Sequence, residues 1–501
     1  VEMHRQVVYP DDLDLLLVEL ELLSTGRKVF HNLHYRWMGK NHETIWINCR
    51  GRVLSDPEDG SPRYLVGCIN EIGAKQKADN VSGLLGEYSL KIFYESRSPK
   101  LPQGFLLRIG IDDFKNINES HGNEYGDYIL RRTAQCIEEN IGPEQSLFHI
   151  VADEFAVVDF SGGSVEMAEK LFHEIKKSIY AFIEQNQYKA VYTVSGGIVK
   201  NGDVDNSFEN AMKLSEFALS EAKERGKNSC YVFEEEEYED YLKSRTLLRQ
   251  LHHAVNNGFE GFEAYFQPLV NAANGELTGA ETLLRFHSPE GGMVSPGEFI
   301  PILEESGLII PVGRWVLRQA LDACREWQKI LPEFKVNVNL SYVQVLKSRV
   351  LTDVRRIVDE FGVKPSSVCI ELTESGYLEE NERFDKVWNG LKEYGVLLAL
   401  DDFGTGYSNL RCLSDLKPAY IKIDRSFTLK ALNREYEYRL LNHIVEMSHS
   451  LGLHVCVEGI ETEGELTKAK QTEPDYIQGF LFGKPCSRAE FTQKFFTKQA
   501  G

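Results

Sequence analysis

Residues 401–410 read Asp401-Asp402-Phe403-Gly404-Thr405-Gly406-Tyr407-Ser408-Asn409-Leu410 and follow directly on the apolar run 396–400. A short apolar strand that stops at two carboxylates and a glycine-bearing loop is the pattern of a strand end that carries chemistry. The same pattern recurs on both sides of it. Apolar runs at 264–270, 277–286, 335–340, 368–373, 396–400, 420–423, 454–457 and 476–481 alternate with helix-like segments. Such an alternation over the C-terminal half predicts a (β/α)8, TIM-like barrel, whose chemistry collects where strands end and loops begin.

The polar residues fall at those ends. In chain order they are Glu281, Asn339, Glu371, Asp401, Asp402, Lys422, Glu458 and Gln478. Any one acid at a strand end is more often a helix cap. A succession of them is not, because like charges ~4 Å apart repel by about 4 kcal/mol at an effective dielectric near 20. A mouth holding five carboxylates and one lysine therefore needs cations. Oxygen donors without His or Cys favour Mg²⁺ or Mn²⁺ over Zn²⁺. The adjacent pair Asp401 and Asp402 suits two bridged ions, the usual arrangement for in-line attack on a phosphodiester.

The rest of the chain sets the context. It has 501 residues, 42% apolar and 26% charged, enough core material for about three domains. Fibrous and disordered classes are excluded by this composition. The net charge of −20 argues against a nucleic-acid backbone or anionic lipid as partner. Nine scattered cysteines without a CxxC pair read as free thiols in a reducing compartment, so a cytoplasmic protein is expected. No apolar run reaches the ~18 residues of a membrane span. The sequence opens at Val1, and an upstream anchor is left open.

Before the barrel the periodicity changes twice. Residues 29–37, 44–53 and 64–72 read as three antiparallel strands, an α+β fragment over 1–75. Residues 76–235 mix strands (105–111, 147–159 as a hairpin, 191–199) with amphipathic helices (125–140, 165–186, 208–225), an α/β domain. The acidic run 234–237 reads as a solvated helix start. Residues 238–255 then form a connecting helix inside a last segment, 236–501. On it Tyr241, Leu248 and Val255 fall seven apart beside Leu247, Leu251 and Ala254, a stripe that packs on something. His31, His34 and His42 lack ligand spacing, and Trp37 and Trp46 read as core.

Several segments then support family resemblances. ETLLRF at 281–286, SPGEFIPILEESGLI at 295–309, NLS at 339–341, ELTE at 371–374, DDFGTGYSNL at 401–410, IKIDRSF at 421–427, VEGIET at 457–462 and QGFLFGKP at 478–485 follow in the order of an EAL domain. The C-terminal half resembles that family, which linearises cyclic di-GMP to pGpG. Thr282 stands where the family has alanine, beside the ligand glutamate and not in its place. The resemblance implies two Mg²⁺ or Mn²⁺ ions. Glu281, Asn339, Glu371 and Asp401 would hold one, with Asp401, Asp402 and Glu458 around the other. It implies Glu458 and Lys422 at the attacking water, and Glu374 as the support of the 401–406 loop. Gln267, Leu283, Arg285 and Gln478 would line the substrate cleft. A homodimer is expected on the same ground. The alternative is a non-catalytic cyclic di-GMP receptor.

The middle segment resembles a GGDEF domain, the nucleotidyl-cyclase-like fold of diguanylate cyclases, through VSGLLGE at 81–87, IDDFKNINESHGNEYGD at 111–127, VADEF at 151–155, TVSGGIV at 193–199 and LSEAKERGKNS at 219–229. Its signature glycines are replaced by Val151 and Ala152, and its first metal-binding aspartate by Gly110. Gly142-Pro143-Glu144-Gln145 occupies the product-inhibition motif. The resemblance thus implies a cyclase without activity. Asn118 and Asp127 match the guanine contacts, Lys223 and Lys227 the phosphate contacts, and Asp153 the surviving metal position, so GTP binding without cyclisation is expected. Tyr9-Pro10-Asp11-Asp12-Leu13 and the three strands after it resemble the C-terminal part of a PAS sensor domain.

Overall fold

The computed structural model describes residues 7–38, 44–56, 61–72, 79, 81–97, 103–186, 191–203, 207–373, 382–404 and 410–497. Contacts divide the chain into two units, Val1–Glu239 and Asp240–Gly501.

In the first unit, strands Phe30–Met38, Thr44–Ser55 and Pro62–Ile72 form an antiparallel sheet in that order. Helix Leu13–Ser24 packs on it through Leu16, which joins Val8, Tyr35 and Ile47 in a small core. Trp37 packs against that core. His31 is buried and lies 3.3 Å from Glu19. His42 and the Trp46 side chain lie outside the described residues.

A five-stranded sheet follows, with Gln145–Val151, Glu154–Asp159, Phe105–Ile111, Val194–Lys200 and Cys230–Val232 in spatial order. Side chains of a strand alternate between faces. Phe105, Leu107, Ile109 and Ile111 accordingly meet helices Asn123–Asn140 and Val165–Gln185 on one side, while Leu106 meets helices Glu87–Arg97 and Phe208–Glu224 on the other. Ser164 and Ser207 cap two of these helices by accepting from Met167 N and Asn210 N.

Helix Glu235–Asn256 opens with Glu235, Glu236 and Glu237 in its first turn, where the helix dipole favours negative charge. Leu251 and Ala254 are buried in the second unit's core, with Leu247 and Val255 against it, as the stripe predicts. Tyr241, at the other end of the stripe, is 37% exposed.

The second unit is a closed eight-stranded barrel: β1 Phe262–Asn271, β2 Leu277–Ser288, β3 Lys335–Asn339, β4 Val368–Thr373, β5 Leu397–Phe403, β6 Tyr420–Ile423, β7 His454–Val457 and β8 Tyr476–Gln478. From β2 to β8 neighbouring strands are parallel. β1 is antiparallel to both β2 and β8, which departs from an all-parallel (β/α)8 pattern. The reason is connection length. Only residues 272–276 separate β1 from β2, and a parallel crossover needs about a dozen residues or more. Gly275, at φ +73°, turns the chain in that hairpin.

Candidate active site

The strand order explains why distant residues meet. β2 points Glu281, Leu283 and Arg285 to one face by alternation, and Gln267 on β1 is the direct partner of Glu281. Asn339 ends β3 opposite Glu371 on β4. Thr373 on β4 stands opposite Asp401 on β5. Lys422 lies mid-strand on β6, and Glu458 follows the last residue of β7.

These side chains close around the Lys422 ammonium. Its Nζ lies 3.1 Å from Glu281 Oε2, 3.0 Å from Glu371 Oε1, 3.2 Å from Asp401 Oδ1 and 2.8 Å from Glu458 Oε1. Glu371 is fully buried and Lys422 is 2% exposed. Gln478 Nε2 donates to Glu281 Oε2 at 2.7 Å and to Gln267 Oε1 at 3.1 Å, and Asn339 Nδ2 donates to Glu281 Oε1 at 2.9 Å.

The electrostatics follow from burial and crowding. Burial raises the Glu371 carboxyl well above the ordinary range; Lys422 opposes this, and the neighbouring acids add to it. Burial also raises Asp401, and pushes Glu458 up to about 8. Glu281 is the exception: burial pushes it up, but Lys422 and hydrogen bonds from Gln478 and Asn339 hold it below the usual range. For Lys422, burial is outweighed by the four acids, and its proton is held more tightly than usual.

Asp402 is placed differently. β5 shifts register against β6 between Leu400 and Phe403, and Asp402 takes φ +57°. A bulge of this kind re-aims a side chain beside a site. Burial, then the adjacent Asp401, push the Asp402 carboxyl up to about 6.

Four buried acids around one ammonium, with Asp402 beside them, crowd more acid into this space than Lys422 can neutralise, which is why most of them are pushed towards the protonated form. Oxygen atoms of Glu281, Glu371 and Asp401 lie within 4.8 Å of one another. Buried charge at that density requires compensation, and an all-oxygen donor set suits a hard divalent ion. The residues present therefore fit a hard divalent ion.

Arg285 stands apart from the cluster: its Nη1 donates to Leu284 O at 2.8 Å, and its guanidinium lies 5.6 Å from the Tyr265 ring. Glu374 and residues 405–409 lie outside the described residues. One contact lies beyond the strand-end pattern. Asn337 Nδ2 donates to Glu371 Oε1 at 2.7 Å, and Asn337 is buried. Its signal was the spacing Asn337-Val338-Asn339, which puts both amides on one face of β3.

In the middle domain the expected nucleotide residues form separate groups. Asn118 Oδ1 lies against Gly126, next to Asp127, where an added Cβ would meet it at 1.8 Å. Lys227 Nζ pairs with Asp113 Oδ2 at 2.8 Å. Lys223 neighbours Gly110 and Asp153. Among the described residues eight cysteines are free thiols. No helix there is long and apolar enough to cross a membrane.

A barrel with buried acids at its mouth, preceded in the chain by a small antiparallel sheet and a five-stranded α/β domain, defines a multidomain protein with a candidate ion-binding site. Family models assign the parts: the PAS fold matches residues 1–69, the diguanylate cyclase GGDEF domain 89–229 and the EAL domain 248–485. The chain belongs to the proteins that carry PAS, GGDEF and EAL domains in tandem.

Relatives are consistent with this. The chain is 29% identical over 384 residues to the bifunctional diguanylate cyclase/cyclic di-GMP phosphodiesterase MucR of Pseudomonas aeruginosa, covering 76% of this chain and 55% of MucR. It is 29% identical over 455 residues to the cyclic di-GMP phosphodiesterase PdeR of Escherichia coli, covering 90% of this chain and 67% of PdeR. A solved structure of the PaMucR phosphodiesterase in complex with c-di-GMP is 32% identical, with a TM-score of 0.46, covering 49% of this chain and 99% of that one. The chain spans about half the length of most of the curated relatives it matches.

Proposed function

We propose that the barrel is a cyclic di-GMP phosphodiesterase that opens one of the two phosphodiester bonds to give pGpG. The observation that carries this reading is the convergence of Glu281, Glu371, Asp401 and Glu458 on Lys422 at 2.8–3.2 Å. The activities named for MucR and PdeR support the choice of substrate.

Two divalent ions, Mg²⁺ or Mn²⁺, held by Glu281, Asn339, Glu371 and Asp401 and by Asp401, Asp402 and Glu458, would acidify the attacking water and neutralise phosphate charge. The chain's own groups do the rest. Gln267, Leu283, Arg285 and Gln478 line the cleft and hold the dinucleotide. Glu458 takes a proton from the water as its oxygen bonds to phosphorus. The bond from phosphorus to the ribose 3′ oxygen breaks, and that oxygen takes up a proton. Lys422 stabilises the charge that builds on the phosphoryl oxygens. Glu374 steadies the 401–406 loop.

The same proposal makes the GGDEF domain degenerate. It holds GTP through Asn118, Asp127, Lys223 and Lys227 without cyclising it, and GTP alters turnover by binding one arrangement of the chain better than another. The chain works as a homodimer, which light scattering checks.

The test is incubation of the whole chain with cyclic di-GMP and Mg²⁺ or Mn²⁺, with and without GTP. pGpG is expected, and Glu281→Ala should abolish it while the chain stays folded. Tight cyclic di-GMP binding with no pGpG would instead make the barrel a receptor.

A further inference from the structure

The metal position of the middle domain does not fit a metal. Gly110 lies on strand Phe105–Ile111, between Glu154 and Ser195 on the neighbouring strands. A Cβ built there would meet Lys223 Nζ at 2.9 Å and Lys223 Cε at 3.2 Å. Lys223, near the end of helix Phe208–Glu224, thus fills the space into which an acidic side chain at position 110 would project.

The remaining acids do not restore a donor set. Asp112 is 4% exposed, and its two oxygens are engaged by Thr193 Oγ1 at 2.6 Å, Ser195 Oγ at 2.7 Å and Asn228 N at 3.1 Å. Glu154 is tied to Arg108, with Nε 2.7 Å from Oε2. Asp113 is paired with Lys227. Among the described acids there Asp153 remains; burial pushes its carboxyl up and the nearby Lys223 charge opposes this. One carboxylate beside an ammonium holds a divalent ion weakly by itself, because the fixed charge repels it and the ligand at position 110 is missing. The same ammonium is well placed to pair with a polyphosphate.

We infer that Lys223 replaces the divalent ion at this site, so that the middle domain takes a guanosine triphosphate as the free anion, without Mg²⁺. This rests on the proposed reading that the domain binds GTP at all. It makes occupancy independent of magnesium, while turnover in the barrel depends on it.

The experiment is calorimetric titration of GTP into the whole chain, once in Mg²⁺ and once in EDTA. The expected result is binding in both buffers with Kd values within about threefold of each other, well below the tenfold that 1.4 kcal/mol would give. Lys223→Gln, checked by circular dichroism for an unchanged fold, should weaken binding in EDTA at least about tenfold. Gly110→Asp, which the flexible Lys223 tip can accommodate, should make binding respond to Mg²⁺. GTP binding that requires Mg²⁺ in the parent chain overturns this inference and leaves the GTP reading standing. So does Lys223→Gln binding as tightly as the parent in EDTA. No heat in either buffer overturns the GTP reading, and this inference with it.

Discussion

Asn337 holds Glu371 by a 2.7 Å hydrogen bond from its amide, on the same carboxylate that lies 3.0 Å from Lys422. Glu371 is fully buried, so its orientation is set by what it touches. Without Asn337 the carboxylate loses its amide donor and is freer to rotate. Residues that orient a metal ligand typically contribute about 10- to 100-fold in metal affinity or activity. Asn337→Ala should therefore raise the Mn²⁺ concentration needed for half-maximal pGpG formation by about tenfold or more. The decisive readout is the metal-activation curve. If kcat, KM and Mn²⁺ dependence all match the parent, Asn337 has no positioning role.

Lys422 places its ammonium among the carboxyl groups of Glu281, Glu371, Asp401 and Glu458. Removing one partner from a buried ionic group costs about 3–5 kcal/mol, because the remaining charge is left uncompensated. Lys422→Met should show a loss of that order in urea unfolding of the second unit in EDTA. Mn²⁺ should return part of it by binding the folded state, with about 2.7 kcal/mol available at 100 times Kd. Unfolding of Lys422→Met in EDTA at the parent midpoint would show that Lys422 does not neutralise the acids.

The middle domain carries a separate cost at its hairpin. Ala152 is held at φ +52°, and its carbonyl is fixed 2.9 Å from His149 Nε2. An L-residue with a Cβ is disfavoured there by about 1 kcal/mol, and glycine is not. Ala152→Gly should raise the stability of the first unit by about 1 kcal/mol in chemical denaturation. A midpoint unchanged or lowered would mean the hairpin relaxes around alanine.

Much of this site was legible before any coordinates. Glu281, Glu371, Asp401, Lys422 and Glu458 stand out in the sequence because they interrupt or end short apolar runs; the structure gathers them around one ammonium, with Glu281 and Lys422 inside their strands and not at the ends. Asn337 escapes that pattern because it precedes the strand end by two residues. The apolar alternation alone does not reveal that β1 runs antiparallel; the five residues 272–276, too few for a crossover helix, are what decide it. The turn of Asp402 depends on a register shift between β5 and β6, which a sequence does not encode locally. The approach of Lys223 to Gly110 joins residues far apart in the chain, so only the folded sheet and helix bring it out.

His34 offers a pH test in the PAS-like sheet. Burial, then the Arg50 charge, push its imidazole down to about 4, and Nε2 faces the Asn48 amide on the paired strand. The amide donates to the neutral ring, which agrees with the direction of the shift. The unfolded chain takes up its proton near 6.5, where the folded chain does not. Above pH 6.5 both states are neutral and the full stability is present. As the pH falls from 6.5 to about 4 the unfolded state gains protons first, so stability drops, by at most about 3 kcal/mol. His34→Gln keeps a polar side chain and removes this titration. Its melting temperature should therefore fall less steeply than the parent's over that window, while the carboxylate contribution stays common to both. Parallel curves for parent and variant between pH 6.5 and 4 would show that His34 titrates in the folded sheet as it does in water.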